Sequence, residues 1–216
     1  EGMRGQVFHQ TATFAAANGR AVGGLAPATA TSFFPAKPLG CYGDGGALLT
    51  DDAERAAVWR SLRGHGTGKA KYDVVRVGLN SRLDTLQAAI LLTKLKVFAK
   101  EIEARDRLAK TYGAALEGLV KTPSLPDGMR SAWAQYTIQT NDRDRLKSRL
   151  GEKGVPTAVY YPLPMHLQTA YRALGGGEGS LPVTERLCGK VLSLPMHPYM
   201  DDAVAERILE AVLASV

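Results

Sequence analysis

The chain is poor in the residues that most often announce a function. Among 216 residues it has two cysteines and four histidines. Cys41 and Cys188 lie far apart and match neither a metal-binding nor a redox spacing, so they read as reduced thiols of a cytoplasmic protein. No third ligand stands at metal spacing from His166 or His197, which argues against zinc and leaves two packed or hydrogen-bonding histidines. No apolar run approaches the roughly 20 residues of a membrane span, and no signal peptide is visible, so no membrane partner is expected. The excess of positive charge is small: Lys and Arg number 27 against 21 Asp and Glu, a net +6. These cations are scattered, and no basic run alternates with aromatics. The charge therefore suits anionic small molecules and does not suggest a nucleic acid. Internal repeats and low-complexity segments are also lacking.

What is present is an ordinary globular composition, 45% hydrophobic and 22% charged, in a chain long enough for one large or two small domains. Residues 1–28 read as loop with room for one short strand. A strand is expected over Ala28 to Phe34, stopped by Pro35. Gly43 to Gly46 reads as a turn, and Ala47 to Thr50 as a short buried strand. Thr50, Asp51 and Asp52 offer N-cap chemistry for a helix to about Arg63, which the glycines of 64–68 then break. Ser81 and Asp84 form a capping-box pattern at the start of a long helix. Leu91, Leu95, Phe98 and Ile102 lay an apolar stripe along it. This helix is expected to reach Tyr112, where Gly113 weakens it, and helices of such length often bridge two domains. Beyond it, strands are expected over Trp133 to Thr140, Val155 to Tyr161 and near Leu192. Helices are expected over Asp142 to Lys153, closed by Gly154, and from about Pro182 and Asp201, with a glycine-rich loop at 175–179. The sequence of elements is that of a compact α/β unit.

Four places carry candidate chemistry. Lys37 stands between Pro35 and Pro38 in a stretch of apolar residues and glycines. It is either a surface turn lysine or an amine held in a partly desolvated site, where it could form a Schiff base with an aldehyde cofactor. Ser32, five residues earlier, could donate its hydroxyl to a phosphate. Gly40 to Gly46 lacks the spacing of a nucleotide-binding loop and reads as a tight turn. Asn80 and Arg82 flank the expected helix start, where they form either an anion site or a local cap with an exposed arginine. Tyr160 and Tyr161, before Pro162, could reach a polar ligand or simply pack in a core or interface.

Taken together, SFFPAKPLGCYGDGGA, GLNSRLDTLQAAIL, AVYYPLPMHLQ and SLPMHPY resemble the DegT/DnrJ/EryC1/StrS family of pyridoxal 5'-phosphate (PLP) dependent sugar aminotransferases. They occur in that family's order and separations over about residues 13–216. The resemblance implies the C-terminal part of an aspartate-aminotransferase-type, fold type I PLP enzyme. Residues 1–112 would be the remainder of the PLP-binding large domain, ending in the bridging helix, and 113–216 a small C-terminal α/β domain. It implies that Lys37 carries the cofactor, that Ser32 binds its phosphate, and that Asn80 reaches the phosphate held by the neighbouring subunit of a homodimer. Arg82 would lie near the sugar substrate, with Tyr161 and, beside it, Tyr160 lining the same site. The implied reaction is transamination of a nucleotide-linked ketosugar, UDP-3-keto-N-acetylglucosaminuronate, with glutamate as donor, in surface-polysaccharide synthesis.

Two departures accompany the likeness. The family has an N-terminal half before this point, so the expectation is a fragment or a chain with a rearranged or frame-shifted start. In addition, His9-Gln-Thr-Ala-Thr-Phe14 stands where the family has Asp-Ala-Ala-Gln-Ser-Phe, whose Asp pairs with the pyridinium nitrogen. Two alternatives follow. One is a catalytically incomplete fragment acting as a folded or dimerising module. The other is PLP-dependent sugar dehydration, against which Lys37 speaks, because those relatives carry histidine there.

Overall fold

The computed structural model describes the backbone of residues 7–10 and the whole of residues 15–70 and 72–216. The chain forms two compact units that part inside one long helix. The first takes the chain up to Ile102 and again Leu125–Ala134; the second takes Glu103–Ser124 and Gln135–Val216.

In the first unit, β1 (Val7–Gln10) runs parallel to β4 (Ala28–Ser32), which pairs antiparallel with β5 (Gly46–Leu49). A second small sheet joins β2 (Ala16–Ala17), β3 (Arg20–Ala21) and β6 (Met129–Arg130). Helix α1 (Ala53–Arg63) starts as its residues direct: the Asp52 carboxylate accepts from the Arg55 N–H at 2.9 Å. Thr50 secures the approach, accepting from the Asp52 N–H while donating to the Pro27 carbonyl at 2.7 Å. Strand β5 is a correction to the expected buried strand: Leu48 and Leu49, on opposite faces of an edge strand paired only with β4, are both exposed.

Helix α2 (Thr85–Leu116) begins three residues later than a capping box with Ser81 as N-cap suggests. Ser81 lies ahead of the helix, in the pairing that closes the 64–80 loop, where its N–H donates to the Arg63 carbonyl at 2.9 Å. The first helical bond instead runs from the Ala88 N–H to the Asp84 carbonyl. The helix also passes through Gly113 to Leu116. Burial of Tyr112 and Leu116 on either side outweighs the glycine's roughly 1 kcal/mol cost. Of the expected stripe, Leu91, Phe98 and Ile102 join Leu39, Cys41 and Ala132 in the core of the first unit, with Phe33 and Leu83 against it. Leu95 is 40% exposed and does not belong to that face.

The second unit is built on β7 (Tyr136–Gln139) paired antiparallel with β8 (Val191–Leu194), Ile138 opposite Leu192. Helices α3 (Arg143–Glu152), α4 (Pro182–Cys188) and α5 (Asp202–Leu213) complete it. Tyr112, Leu116, Tyr136, Ile138, Leu150, Leu192 and Val212 are its most deeply buried side chains. Two expected strands are corrected. The first begins at Tyr136 and not at Trp133, whose φ of +45° takes it out of extended geometry. Val155 to Tyr161 forms no strand: only Ala158 bridges, exchanging two bonds with Ser193. Pro156 has no N–H to give a ladder, and Pro162 ends the segment.

Candidate functional site

The site begins where β4 ends. Ser32 is its last residue, and its Oγ accepts from the Phe34 N–H at 3.2 Å. The Phe34 carbonyl in turn accepts from the Lys37 N–H at 2.8 Å, closing a four-residue turn with Pro35 in second place. One residue's backbone thus ties Ser32 to Lys37. The base of the loop is closed at Phe33, whose N–H donates to Gly45 and whose carbonyl accepts from the Cys41 N–H, both at 2.8 Å. The buried Cys41 thiol adds bonds to the Phe33 and Gly43 carbonyls. Gly40 makes this fold possible, since a Cβ there would stand 2.6 Å from the Pro35 carbonyl oxygen. The Gly40–Gly46 stretch is a tight return to the sheet, as its spacing suggested.

Lys37 is half-buried, and among the described residues its amine has no hydrogen bond or ion pair. Asn80 is held by an isolated antiparallel bridge to Gly64, and its Oδ1 accepts from an Arg82 guanidinium N–H at 3.1 Å. Both side chains are exposed, so the guanidinium keeps most of its donors for a ligand. In the second unit, Tyr160 and Tyr161 stand edge to face, ring centroids 5.7 Å apart, with both rings exposed. They are not core residues of that unit.

Sequence reasoning missed two residues of α2. The Gln87 Oε1 accepts from the Tyr42 N–H at 2.7 Å, and the Lys94 ammonium donates to the Gly40 carbonyl at 2.6 Å while lying 5.2 Å from the Tyr42 ring centroid. The available signal was their spacing: seven residues apart, they share one helix face. It also missed Glu185, the partner of His166. Among the described residues no group of three His, Cys, Asp or Glu side chains could hold a metal, and no helix is long and apolar enough to cross a membrane.

An α/β chain with a lysine presented on a closed turn at a strand end has the architecture of the fold type I PLP enzymes. The chain belongs to the DegT/DnrJ/EryC1/StrS aminotransferase family, whose pattern matches residues 10–213. It is 45% identical over 189 residues to the UDP-2-acetamido-2-deoxy-3-oxo-D-glucuronate aminotransferase of Pseudomonas aeruginosa, covering 87% of this chain and 52% of the relative. It is 40% identical over 196 residues to the dTDP-3-amino-3,4,6-trideoxy-alpha-D-glucose transaminase of Streptomyces venezuelae, over 90% and 52% of the two chains. A solved DegT/DnrJ/EryC1/StrS aminotransferase from Brucella abortus superposes with a TM-score of 0.93 at 49% identity, over 96% of this chain and 56% of that one. NtdA from Bacillus subtilis, solved with bound cofactor PMP, superposes with a TM-score of 0.79 at 30% identity, over 90% and 47%. The chain spans about half the length of the curated relatives it matches. The family's aminotransferases use PLP.

The residues present fit that cofactor in part. Lys37 offers an unengaged amine for a carbonyl, and the Ser32 hydroxyl, accepting from Phe34, retains its own hydrogen for a phosphate oxygen. The stretch His9–Phe14, which stands in place of the family's Asp-bearing segment, lies outside the described residues except for the backbone of His9 and Gln10.

Proposed function

We propose that this chain provides the lysine-bearing part of a sugar aminotransferase that moves nitrogen from glutamate to a nucleotide-linked ketosugar. We take UDP-3-keto-N-acetylglucosaminuronate as the acceptor and place the reaction in the cytoplasmic synthesis of surface-polysaccharide precursors. The observation that carries this reading is the Phe34–Lys37 turn, which presents a half-buried and unengaged amine and is tied through the Phe34 backbone to the Ser32 hydroxyl. The cofactor, when bound, supplies an electron sink for the carbon that gains or loses a proton. Lys37 would hold it covalently and then shuttle a proton as general base and acid. Ser32 would donate to the phosphate. Arg82, exposed beside Asn80, would set its fixed charge against the uronate carboxylate, which favours a uronate over an uncharged dTDP sugar. Tyr160 and Tyr161 would offer hydroxyls to the sugar.

A homodimer belongs to the same proposal, with Asn80 reaching the phosphate held by the second copy. Support comes from the run around it: Tyr72, Val74, Val75, Val77 and Leu79 are all exposed, an unusual density of apolar side chains for a surface loop.

The test is titration of the chain with PLP, followed by borohydride reduction and peptide mass analysis. A pyridoxyl group on Lys37 that is absent from Lys37→Ala, and that fails to form when glutamate is added before the reduction and converts the cofactor to its amine form, supports the reading. Attachment without any response to glutamate makes the chain a cofactor-binding but catalytically incomplete module. No attachment to Lys37 removes the reading altogether. Comparing UDP and dTDP ketosugars as acceptors, and Arg82→Gln against wild type, decides the sugar.

A further inference from the structure

Resting on that reading of Lys37, we propose that Lys94 is a positioning residue for Lys37, acting through the Gly40 carbonyl. Helix α2 holds the lysine-bearing loop at two points on either side of Cys41. Lys94 binds the Gly40 carbonyl at 2.6 Å, and Gln87, two helical turns earlier, takes the Tyr42 N–H at 2.7 Å. Lys94 also lies 5.2 Å from the centroid of the Tyr42 ring, so one ammonium engages both neighbours of Cys41. Cys41 itself is fully buried and bonded through its thiol and its N–H to Phe33.

The clamp bears on the Lys37 turn because Gly40 backs directly onto it. A Cβ at Gly40 would meet the carbonyl oxygens of Phe34 and Pro35 at 2.7 and 2.6 Å, so the Gly40 backbone is pressed against the first two residues of the turn. Any movement of the Gly40 carbonyl must therefore move the turn that carries Lys37. With Pro35 and Pro38 stiffening the lobe, its remaining freedom is rotation as a body about Phe33, and the Lys94 bond opposes that rotation. A charged donor matters here, since such bonds outweigh neutral ones and this one is half-sheltered from water. The engaged Lys94 amine is at the same time kept from competing for a carbonyl ligand, whereas the Lys37 amine is left open.

The experiment compares wild type with Lys94→Met, Lys94→Arg and Gln87→Ala. It reads deuterium exchange over residues 33–46, the rate of acetylation of Lys37 relative to the other lysines, and borohydride-trapped pyridoxyl on Lys37. In Lys94→Met, we expect exchange over 33–46 to rise and trapped cofactor on Lys37 to fall roughly tenfold, with Lys94→Arg restoring both. Exchange elsewhere in the chain should stay at the wild-type level, a pattern that a merely stabilising residue would not give. Should Lys94→Met fail to fold, Gln87→Ala loosens the same loop through Tyr42 and should produce the same local rise. Wild-type exchange over 33–46 and wild-type Lys37 labelling in both variants would overturn the proposal. If wild type itself traps no cofactor on Lys37, the functional reading fails, while exchange and acetylation still decide whether Lys94 positions Lys37.

Discussion

The Nε2 of His166 stands 2.9 Å from a carboxylate oxygen of Glu185, and that carboxylate also accepts the backbone N–H groups of Gly179 and Leu181 at 2.8 and 3.1 Å. One acidic side chain thus fastens the turn at Met165–Leu167 to the glycine-rich loop and to the start of α4. Gly175 lets the loop come that close, since a Cβ there would stand 3.0 Å from both the His166 Cβ and its carbonyl oxygen.

These bonds hold the Glu185 carboxyl below its ordinary value of 4.5, chiefly through the Gly179 and Leu181 N–H groups and then His166. A lowered folded-state value means stability that is present above pH 4.5 and lost as pH falls through the lowered value. Exchange over residues 175–181, taken relative to the intrinsic rate at each pH, should therefore rise on acidification below that point. In Glu185→Gln it should be raised already at neutral pH and should no longer respond to acid. A glutamine variant that keeps the wild-type acid response would refute this.

Tyr112 and Tyr136 meet edge to face with centroids 5.2 Å apart, and the Tyr112 hydroxyl donates to the Pro195 carbonyl at 3.1 Å. Burial pushes both phenols up to about 12, Tyr112 with a further contribution from Tyr136. Because the folded chain holds these protons more tightly than the unfolded one, stability is complete below pH 10 and declines as pH rises toward 12. Phenolate absorbance should show two of the eight tyrosines ionising late, unless the chain unfolds first. Tyr112→Phe should lose about 1 kcal/mol in urea unfolding by depriving Pro195 of its donor.

Phe98→Ala should cost about 3–5 kcal/mol, since Phe98 is 1% exposed among Leu91, Ile102 and Leu39. Leu95→Ala, three residues away on the same helix, should stay within about 0.5 kcal/mol. Equal losses at the two positions would contradict the observed face.

Gly40→Ala forces a Cβ against two backbone carbonyls and must open the Lys37 turn, so cofactor trapping on Lys37 should fall by an order of magnitude or more. Gly151→Ala, in the last turn of α3 with open space around it, should instead raise stability slightly, by up to about 0.5 kcal/mol. Urea midpoints and reduced-adduct mass spectra check the pair.

Local chemistry was legible wherever it acts over a few residues. The Asp52 and Asp201 caps and the positive φ of Gly154 follow from the side chains themselves. So does the return of the chain at Gly40–Gly46. Family membership was also legible, because four motifs in order constrain one another more tightly than any single one does. Errors fell where a distant partner competes with a local preference. Ser81 sits in the pairing with Arg63 and not at the helix start, and the segment at Val155, bounded by prolines, keeps only the Ala158–Ser193 bridge although its residues favour a strand.

By itself, then, the sequence determined which residue types are at hand: an amine between two prolines, a serine at a strand end, and an asparagine and arginine two positions apart. Tertiary structure alone decided that Gln87 and Lys94 hold the lysine loop from a helix about fifty residues away, and that Glu185 reaches back to His166. Caps and turns are set by interactions within a few bonds of the backbone. A clamp depends on what a folded helix face meets, and spacing along the chain tells only that Gln87 and Lys94 share a face.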